Sequence, residues 1–382
     1  MEVCLVVGCG LCGAVIARHF AEQGKTVVIW ERRNHIGGNM FDFKDKHGFL
    51  VQRYGPHIFH TKEKVLYDYM CRFEQWQEYR LTCGAVWDGK YTPTPFNFTT
   101  IDTFFLPEKA QILKEKLKIA FFGREFATVV ETLENTDPDI RAYAEYLFQN
   151  DYAPYTAKQW GVSPDTIDPS VLKRVPLRFS YDEGYFDDPY QAMPVHSFTH
   201  FFENLLDHPN IQVELGVEAM EHLKIKGNQI YLDREVFNDL LVYTGPLDEC
   251  FDCAYGRLPY RSLRFEWKHE DKDSVQDAPV VAYPQEAGFT RITEYKKLPV
   301  QNKPGSSYAV EYPMPYQEGM SLEPYYPVLT EESQKQCAKY QALAAKIPNL
   351  ILCGRLADFK YYNMDEALAR ALDVVRRFTR SG

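Results

Sequence analysis

VCLVVGCGLCGAVIARHFAEQGKTVVIWERRNHIGGN, residues 3–39, reads as strand, glycine turn, helix, second strand, acidic end and second glycine turn. Val3, Leu5, Val6 and Val7 form a short apolar, β-rich run that breaks at Gly8-Cys9-Gly10-Leu11-Cys12-Gly13, a G-x-G-x-x-G that opens a helical stretch over 14–23. In such a turn the first glycine permits the tight bend and the second lets the backbone approach a pyrophosphate. The third lets helix and strand pack closely, with the helix N-terminus aimed at the anion. Gly24 stops the helix, and a strand over 26–30 ends at Glu31, which stands 31 − 13 = 18 residues past Gly13. A carboxylate there accepts ribose hydroxyls and disfavours a 2′-phosphate. A lone glycine motif in 382 residues carries little weight; the strand, helix, second strand and acid around it make this a nucleotide-binding unit.

A chain of 382 residues can bury a large core and suggests two or three domains. No low-complexity linker marks their borders, so the domains are expected to interleave. The net charge, 43 − 53 = −10, argues against a nucleic-acid or acidic-membrane partner, so an anionic substrate needs locally placed arginines. Residue 1 leads straight into the first strand without a basic leader, and no 18-residue apolar stretch exists, so a cytoplasmic protein without membrane insertion is expected. Nine scattered cysteines fit reduced thiols better than a disulfide framework. A zinc site built from the Cys9/Cys12 and Cys250/Cys253 pairs would pull the first pair out of the phosphate turn, and the His57/His60 pair lacks a nearby third ligand. No metal is expected.

Beyond Thr61 the periodicity turns helical, with Leu66, Tyr69, Met70, Phe73 and Trp76 on one face. Pro107 starts a helix over 108–122, and Asp137-Pro138 reads as N-cap and first-turn proline of another. Residues 64–179 therefore read as a mostly helical insertion. It ends in a proline-bounded basic loop over 169–179 that carries Lys173-Arg174. A helix over 198–206 and strands over 212–215 and 240–243 follow. After Gly256 the period becomes two: Leu263, Phe265 and Trp267 alternate with Arg264, Glu266 and Lys268, and runs at 280–283, 290–295 and 307–312 continue it. A helix over 331–346, a strand over 350–353 with a buried parallel strand's composition and an amphipathic helix over 364–378 close the chain. The predicted fold is α/β. A Rossmann-like FAD-binding parallel sheet comes from 1–63, 208–247 and 333–382, a helical insertion domain from 64–179, and a small antiparallel sheet domain from 180–207 and 248–332. The substrate is expected between the three.

A plain nicotinamide domain has no need of Gly37-Gly38 just past its acidic position, whereas flavoproteins of the glutathione-reductase and amine-oxidase type often carry such a pair. N-H-I-G-G-N at 34–39, followed by Y-G-P-H-I-F-H-T at 54–61, is similar to the N-terminal signature of UDP-galactopyranose mutases, and the likeness continues in order to the C-terminus. The resemblance implies FAD held by Gly8, Gly10, Cys12, Gly13, Glu31, Arg32, Gly38 and Asn39. It puts His57 and Ile58 against the flavin ring, Arg355 on the pyrophosphate, and Met364-Asp365 at the start of a helix facing the cofactor. Arg174, in K-R-V-P-L-R-F, resembles the arginine of the family's mobile loop, and Arg291, in F-T-R-I, matches its second diphosphate contact. Read alone, the first is an ordinary surface arginine and the second a strand-face arginine beside Glu294. Two guanidiniums suit a diphosphate because each offers a planar fork of donors. Tyr155 and Trp160, which alone read equally well as core aromatics, match a tyrosine that stacks on uracil and a tryptophan lining the pocket. Thr156, Tyr185, Glu311, Tyr326 and Tyr361 match further substrate-lining positions. His60 stands where relatives acting on the N-acetylated sugar nucleotide carry arginine, which favours the unmodified galactose. Two positions depart from the family: Asn363 replaces the aspartate of Y-Y-D-M, and Ala282 replaces a pocket asparagine. Both bear on sugar or uridine contacts rather than on the flavin.

The activity so implied is an isomerase that interconverts UDP-galactopyranose and UDP-galactofuranose on reduced FAD without net redox. Flavin N5 attacks the anomeric carbon, UDP departs, the sugar recloses through its other hydroxyl and UDP returns. The protein then mainly positions groups and stabilises charge, through Arg174, Arg291 and His60. UDP-galactose and an external reductant are its expected partners; a homodimer is compatible with the sequence, which does not fix the oligomeric state. The rivals are an amine-oxidase-type flavin oxidoreductase, a mutase of the N-acetylated sugar nucleotide, and a flavin-free binding protein of the Rab-escort group.

Overall fold

A computed structural model of the chain describes residues 3–161, 176–317 and 322–380. The apolar run Val3–Val7 is the central strand of a five-stranded, wholly parallel sheet. The order is Ile211–Leu215, Thr26–Glu31, Val3–Val7, Leu240–Tyr243, Leu350–Leu352. Strands without polar alternation need cover on both faces. On one face lie the helices Leu11–Glu22, Phe198–Leu206 and Met364–Arg380, whose Phe20, Phe201, Phe202 and Leu368 bury against Val6, Val27 and Ile29. On the other, Leu5, Leu241 and Tyr243 meet Leu247, Phe251, Tyr340 and Ile347. The first helix begins at Leu11, ahead of the expected 14–23, and Gly13 is the reason. A Cβ on Gly13 would stand 2.0 Å from the Gly8 carbonyl oxygen, so only glycine lets the first turn lie this close to the strand end.

The second sheet has seven strands, in the order Tyr326–Pro327, Tyr260–Glu270, Ser306–Pro315, Arg291–Glu294, Val280–Ala282, Cys83–Trp87, Lys90–Thr94. It is larger than expected, and the Val280–Ala282/Cys83–Trp87 pairing is parallel, so the sheet is mixed rather than purely antiparallel. Its last two strands come from the stretch read as helical. The helix expected just past Thr61 covers only Lys64–Met70, and Trp76, assigned to its apolar stripe, instead opens the strand Trp76–Glu78, which pairs with Tyr190–Pro194. The missed signal is Asp88-Gly89, a two-residue loop with φ of +50° and +70° between Trp87 and its partner Lys90. Such a pair is a strong hairpin signal.

Five helices, Phe98–Phe104, Pro107–Ala120, Val129–Leu133, Pro138–Leu147 and Ala153–Trp160, gather beside this sheet. Trp87, Phe96, Leu113, Tyr143 and Leu147 form their core. Asp137 caps as read, its carboxylate accepting from the N–H groups of Asp139 and Ile140. Between the last two helices, Phe148–Tyr152 winds as a π-turn. Among the described residues no helix is long and apolar enough to cross a membrane.

Candidate active site

The C-terminal ends of the parallel strands open on a cavity of about 220 Å³, the usual place for a ligand in such a sheet. Gly8, Gly10, Cys12, Gly13, Glu31, Arg32, Gly38, Asn39, His57, Arg355 and Met364, all expected to hold the cofactor, line it. Gly8 has φ +97° and its absent Cβ would sit 2.1 Å from Thr244 Oγ1; a Cβ on Gly38, itself at φ +55°, would sit 2.8 Å from the Gly10 Cα. The two glycine turns thus touch, and no side chain intrudes between them. Glu31 is buried and accepts hydrogen bonds from the N–H groups of Cys9 at 2.8 Å and Arg33 at 3.0 Å. It fixes the phosphate turn to the second strand and keeps lone pairs for a ribose. Glu323, not read from the sequence, pairs with Arg32 and, at 3.0 Å, with Arg33. Burial alone would depress the Arg32 pKa, but the Glu323 carboxylate outweighs it and holds the guanidinium charged. Arg33 also donates to Asn39 Oδ1 at 3.0 Å and lies over the Tyr54 ring. Arg355 is aimed by the carbonyls of Tyr362 at 2.5 Å and Tyr325 at 3.3 Å. Paired glycine turns, a helix N-terminus, an acid and a cation fit a dinucleotide.

A second cavity, of about 300 Å³, adjoins the first, and Asn39, His57, Tyr325, Arg355, Asn363 and Met364 line both. Ile58, His60, Tyr155, Thr156, Tyr185, Arg291, Tyr326 and Tyr361 line the second alone. Burial pushes the His57 pKa down to about 4, so the ring is neutral at ordinary pH. Its Nδ1 lies 2.8 Å from the Gly55 carbonyl, which can only accept, leaving Nε2 as an acceptor. His60 Nδ1 is 2.5 Å from Asp188, and its ring stacks on Phe186 at 3.6 Å between centroids. Neither Asp188 nor Phe186 was singled out in the sequence, though both lie within four residues of Tyr185. Arg291 and Glu311 face each other across neighbouring strands. Glu311 Oε2 accepts from Nε at 2.9 Å and from a terminal nitrogen at 2.8 Å. Burial works against the guanidinium's charge, and the carboxylate more than compensates, raising its pKa.

Two expected site residues lie apart from the cavities. Glu311, 2 % exposed, is absent from the cavity lining, its carboxylate being spent on the Arg291 guanidinium. Asp365 lines neither cavity, since its carboxylate turns to the Glu366 N–H of its own helix at 2.8 Å. Arg174 and the side chain of Trp160 lie outside the described residues, as does most of the 169–179 loop. Its far end, Leu177–Arg178, pairs with Phe126–Ala127.

A family model described as UDP-galactopyranose mutase matches residues 150–361, more than half of the chain, and one described as an NAD(P)-binding Rossmann-like domain matches residues 6–73. A Mycoplasma pneumoniae protein named UDP-galactopyranose mutase is 33 % identical over 375 residues, 96 % of this chain and 94 % of its own. An Escherichia coli protein named dTDP-fucopyranose mutase is 32 % identical over 389 residues, 100 % of this chain and 99 % of its own. The crystal structure of a reduced UDP-galactopyranose mutase superposes with a TM-score of 0.75 at 15 % identity, over 100 % of this chain and 94 % of its own, a likeness of fold. The dinucleotide cradle and the family together imply a flavin cofactor. With the sequence matches spanning nearly the whole chain, this protein belongs to the UDP-galactopyranose mutase family of isomerases.

Proposed function

We propose that the chain interconverts UDP-galactopyranose and UDP-galactofuranose on reduced FAD. The observation that carries this reading is the junction of the two cavities. A dinucleotide held on the glycine turns would border, across the six shared residues, a chamber whose wall carries Arg291 held by a buried carboxylate. Reduced flavin, when bound, supplies a nucleophilic N5 for the anomeric carbon, with no net electron flow. The chain's residues supply the rest. Arg291 directs the N–H groups not taken by Glu311 at the leaving diphosphate, with Arg174 as second cation. Tyr155 and Thr156 hold the base; Tyr185, Tyr326 and Tyr361 surround the sugar; His60, fixed by Asp188, turns Nε2 to the chamber; and the enclosing walls keep water from the reacting carbon. Conversion of a dTDP-linked 6-deoxy sugar is the second reading, favoured by the full-length match to the fucopyranose mutase. The purified protein should be yellow, absorbing at about 450 nm, where oxidised flavins do. After dithionite reduction, chromatography should find furanose and pyranose forms of UDP-galactose interconverting without oxygen uptake. A folded, colourless protein that takes up no FAD, or one that converts neither UDP-galactose nor dTDP-fucose when reduced, defeats the reading.

A further inference from the structure

Asp151 is the only carboxyl side chain lining the second cavity among the described residues, and it is 9 % exposed. No described residue donates a hydrogen bond to it; a buried carboxyl left so is costly unless a ligand completes it. It sits in the π-turn Phe148–Tyr152, about one helical turn before Tyr155 and Thr156, so the three share one face of the chamber wall. Burial pushes its pKa up to about 7, with Lys158 pulling the other way, so near neutrality a large fraction is the neutral acid, which donates as well as accepts.

We propose that Asp151 reads the imide edge of the substrate's pyrimidine: its carbonyl oxygen accepts from ring N3–H and its hydroxyl donates to the neighbouring ring carbonyl while the base lies on Tyr155. This rests on the preceding assignment of a nucleotide base to Tyr155. The ionised form serves this edge poorly, because it sets a negative oxygen against a carbonyl lone pair. Uracil and thymine present the same edge, so Asp151 accepts both and leaves the C5 methyl to other walls. The titratable and charged groups on the elements around it are Lys158, Tyr152, Tyr155, Asp139, Arg141, Tyr143, Glu145, Tyr146 and Cys83, with His60, Tyr185 and the Arg291–Glu311 pair farther along the chamber. Lys158 is tethered by the carbonyls of Tyr283, Glu286 and Phe289. Comparison with Asp151→Asn removes the influence of all of these, since only Asp151 differs, and an amide offers the same acceptor and donor without titrating.

Calorimetric titration of the flavin-loaded protein with UDP at pH 6 and pH 8 tests this. Relative to Asp151→Asn, the wild type should bind UDP about tenfold more tightly at pH 6 than at pH 8. Asp151→Asn should match the wild type within about threefold at pH 6, and Asp151→Ala should be about tenfold weaker. N3-methyl-UDP should lose about tenfold or more against UDP on the wild type and nothing on Asp151→Ala. An equal N3-methyl penalty in both proteins, or a wild-type pH profile that follows Asp151→Asn, overturns the assignment. So does an Asp151→Ala loss seen for UDP-galactose but not for UDP, which would put the carboxyl on the sugar. Failure of both UDP and dTDP to bind the flavin-loaded wild type overturns the functional reading and this inference with it.

Discussion

Arg291 and Glu311 are twenty positions apart, 311 − 291 = 20, yet register makes them direct cross-strand partners. A buried ion pair of this kind is weak support for stability and better understood as aiming a charge. Removing only the cation leaves Glu311 uncompensated at 2 % exposure, which costs about 3–5 kcal/mol. It also withdraws the proposed charge partner of the leaving group, a kind of contact worth about 10² to 10³ in rate at comparable electrostatic sites. Arg291→Ala should therefore lower both the denaturation midpoint and turnover while flavin content stays at the wild-type level, because Arg291 lines only the second cavity. Arg291→Lys should rescue turnover poorly, since a point charge cannot reproduce the fork. Near-normal turnover of the alanine variant with reduced flavin would remove Arg291 from the chemistry. The pairing could not be read from the sequence: Glu294 is the nearer acid along the chain, but it serves Lys297 at 3.1 Å and Ser306 at 2.7 Å. Strand register is set by the whole sheet rather than by local spacing.

At the level of elements, the helix Ala153–Trp160 presents Tyr155 and Thr156, and its C-terminal end is fastened from two sides. Lys158 Nζ donates to the carbonyls of Tyr283 at 2.5 Å, Glu286 at 2.8 Å and Phe289 at 2.9 Å, tying the helix to the turn that leads into Arg291. Arg261, from the long strand Tyr260–Glu270, donates to the carbonyls of Gln159 at 2.9 Å and Lys158 at 3.2 Å, satisfying helix-end acceptors. Lys158→Met should loosen the helix proposed to hold the base relative to the cation. The expected result is a KM for the sugar nucleotide raised about tenfold, a stability loss of about 2 kcal/mol and unchanged flavin content. A variant that loses stability but keeps its KM would make Lys158 a purely structural tie. The helix starts at Pro107 and Asp137-Pro138 were legible in advance, because a first-turn proline and a cap are local chemistry, whereas the helices capped by Asn97 and Thr128 were not read. The strands Cys83–Trp87 and Lys90–Thr94 were not read, since they were assigned by extending the stripe from Leu66 to Trp76 across a loop. What holds them is pairing with Val280–Ala282, nearly 200 residues away.

For the molecule as a whole, the nucleotide cavity draws its wall from Gly8, Gly10 to Gly13, Glu31 to Arg33, Gly37 to Met40, Val217 to Met220, Tyr243 to Pro246, Pro324-Tyr325, Gly354 to Leu356, Asn363-Met364 and Ala367. Most of the chain must be threaded correctly before that cavity exists, so the unfolded state holds no equivalent site and cofactor affinity becomes folding stability. The gain is RT ln(1 + [L]/Kd), about 2.7 kcal/mol at a hundredfold excess over Kd. Flavin-stripped protein should therefore melt at a temperature that climbs by several degrees as FAD is added and reverses when the flavin is removed. Two variants separate this linkage from general effects of mutation. Gly13→Ala forces a methyl to within 2.0 Å of the Gly8 carbonyl, at the point where helix and strand must touch, and should abolish both flavin uptake and the FAD-dependent rise. Arg291→Ala starts from a lower melting temperature but should show the full FAD-dependent rise, because its damage lies beyond the dinucleotide. A scanning calorimetry series over FAD concentration on the three proteins decides the matter. A wild-type melting temperature indifferent to FAD would mean that the cradle between the two glycine turns holds some other ligand, or that the flavin is seated elsewhere.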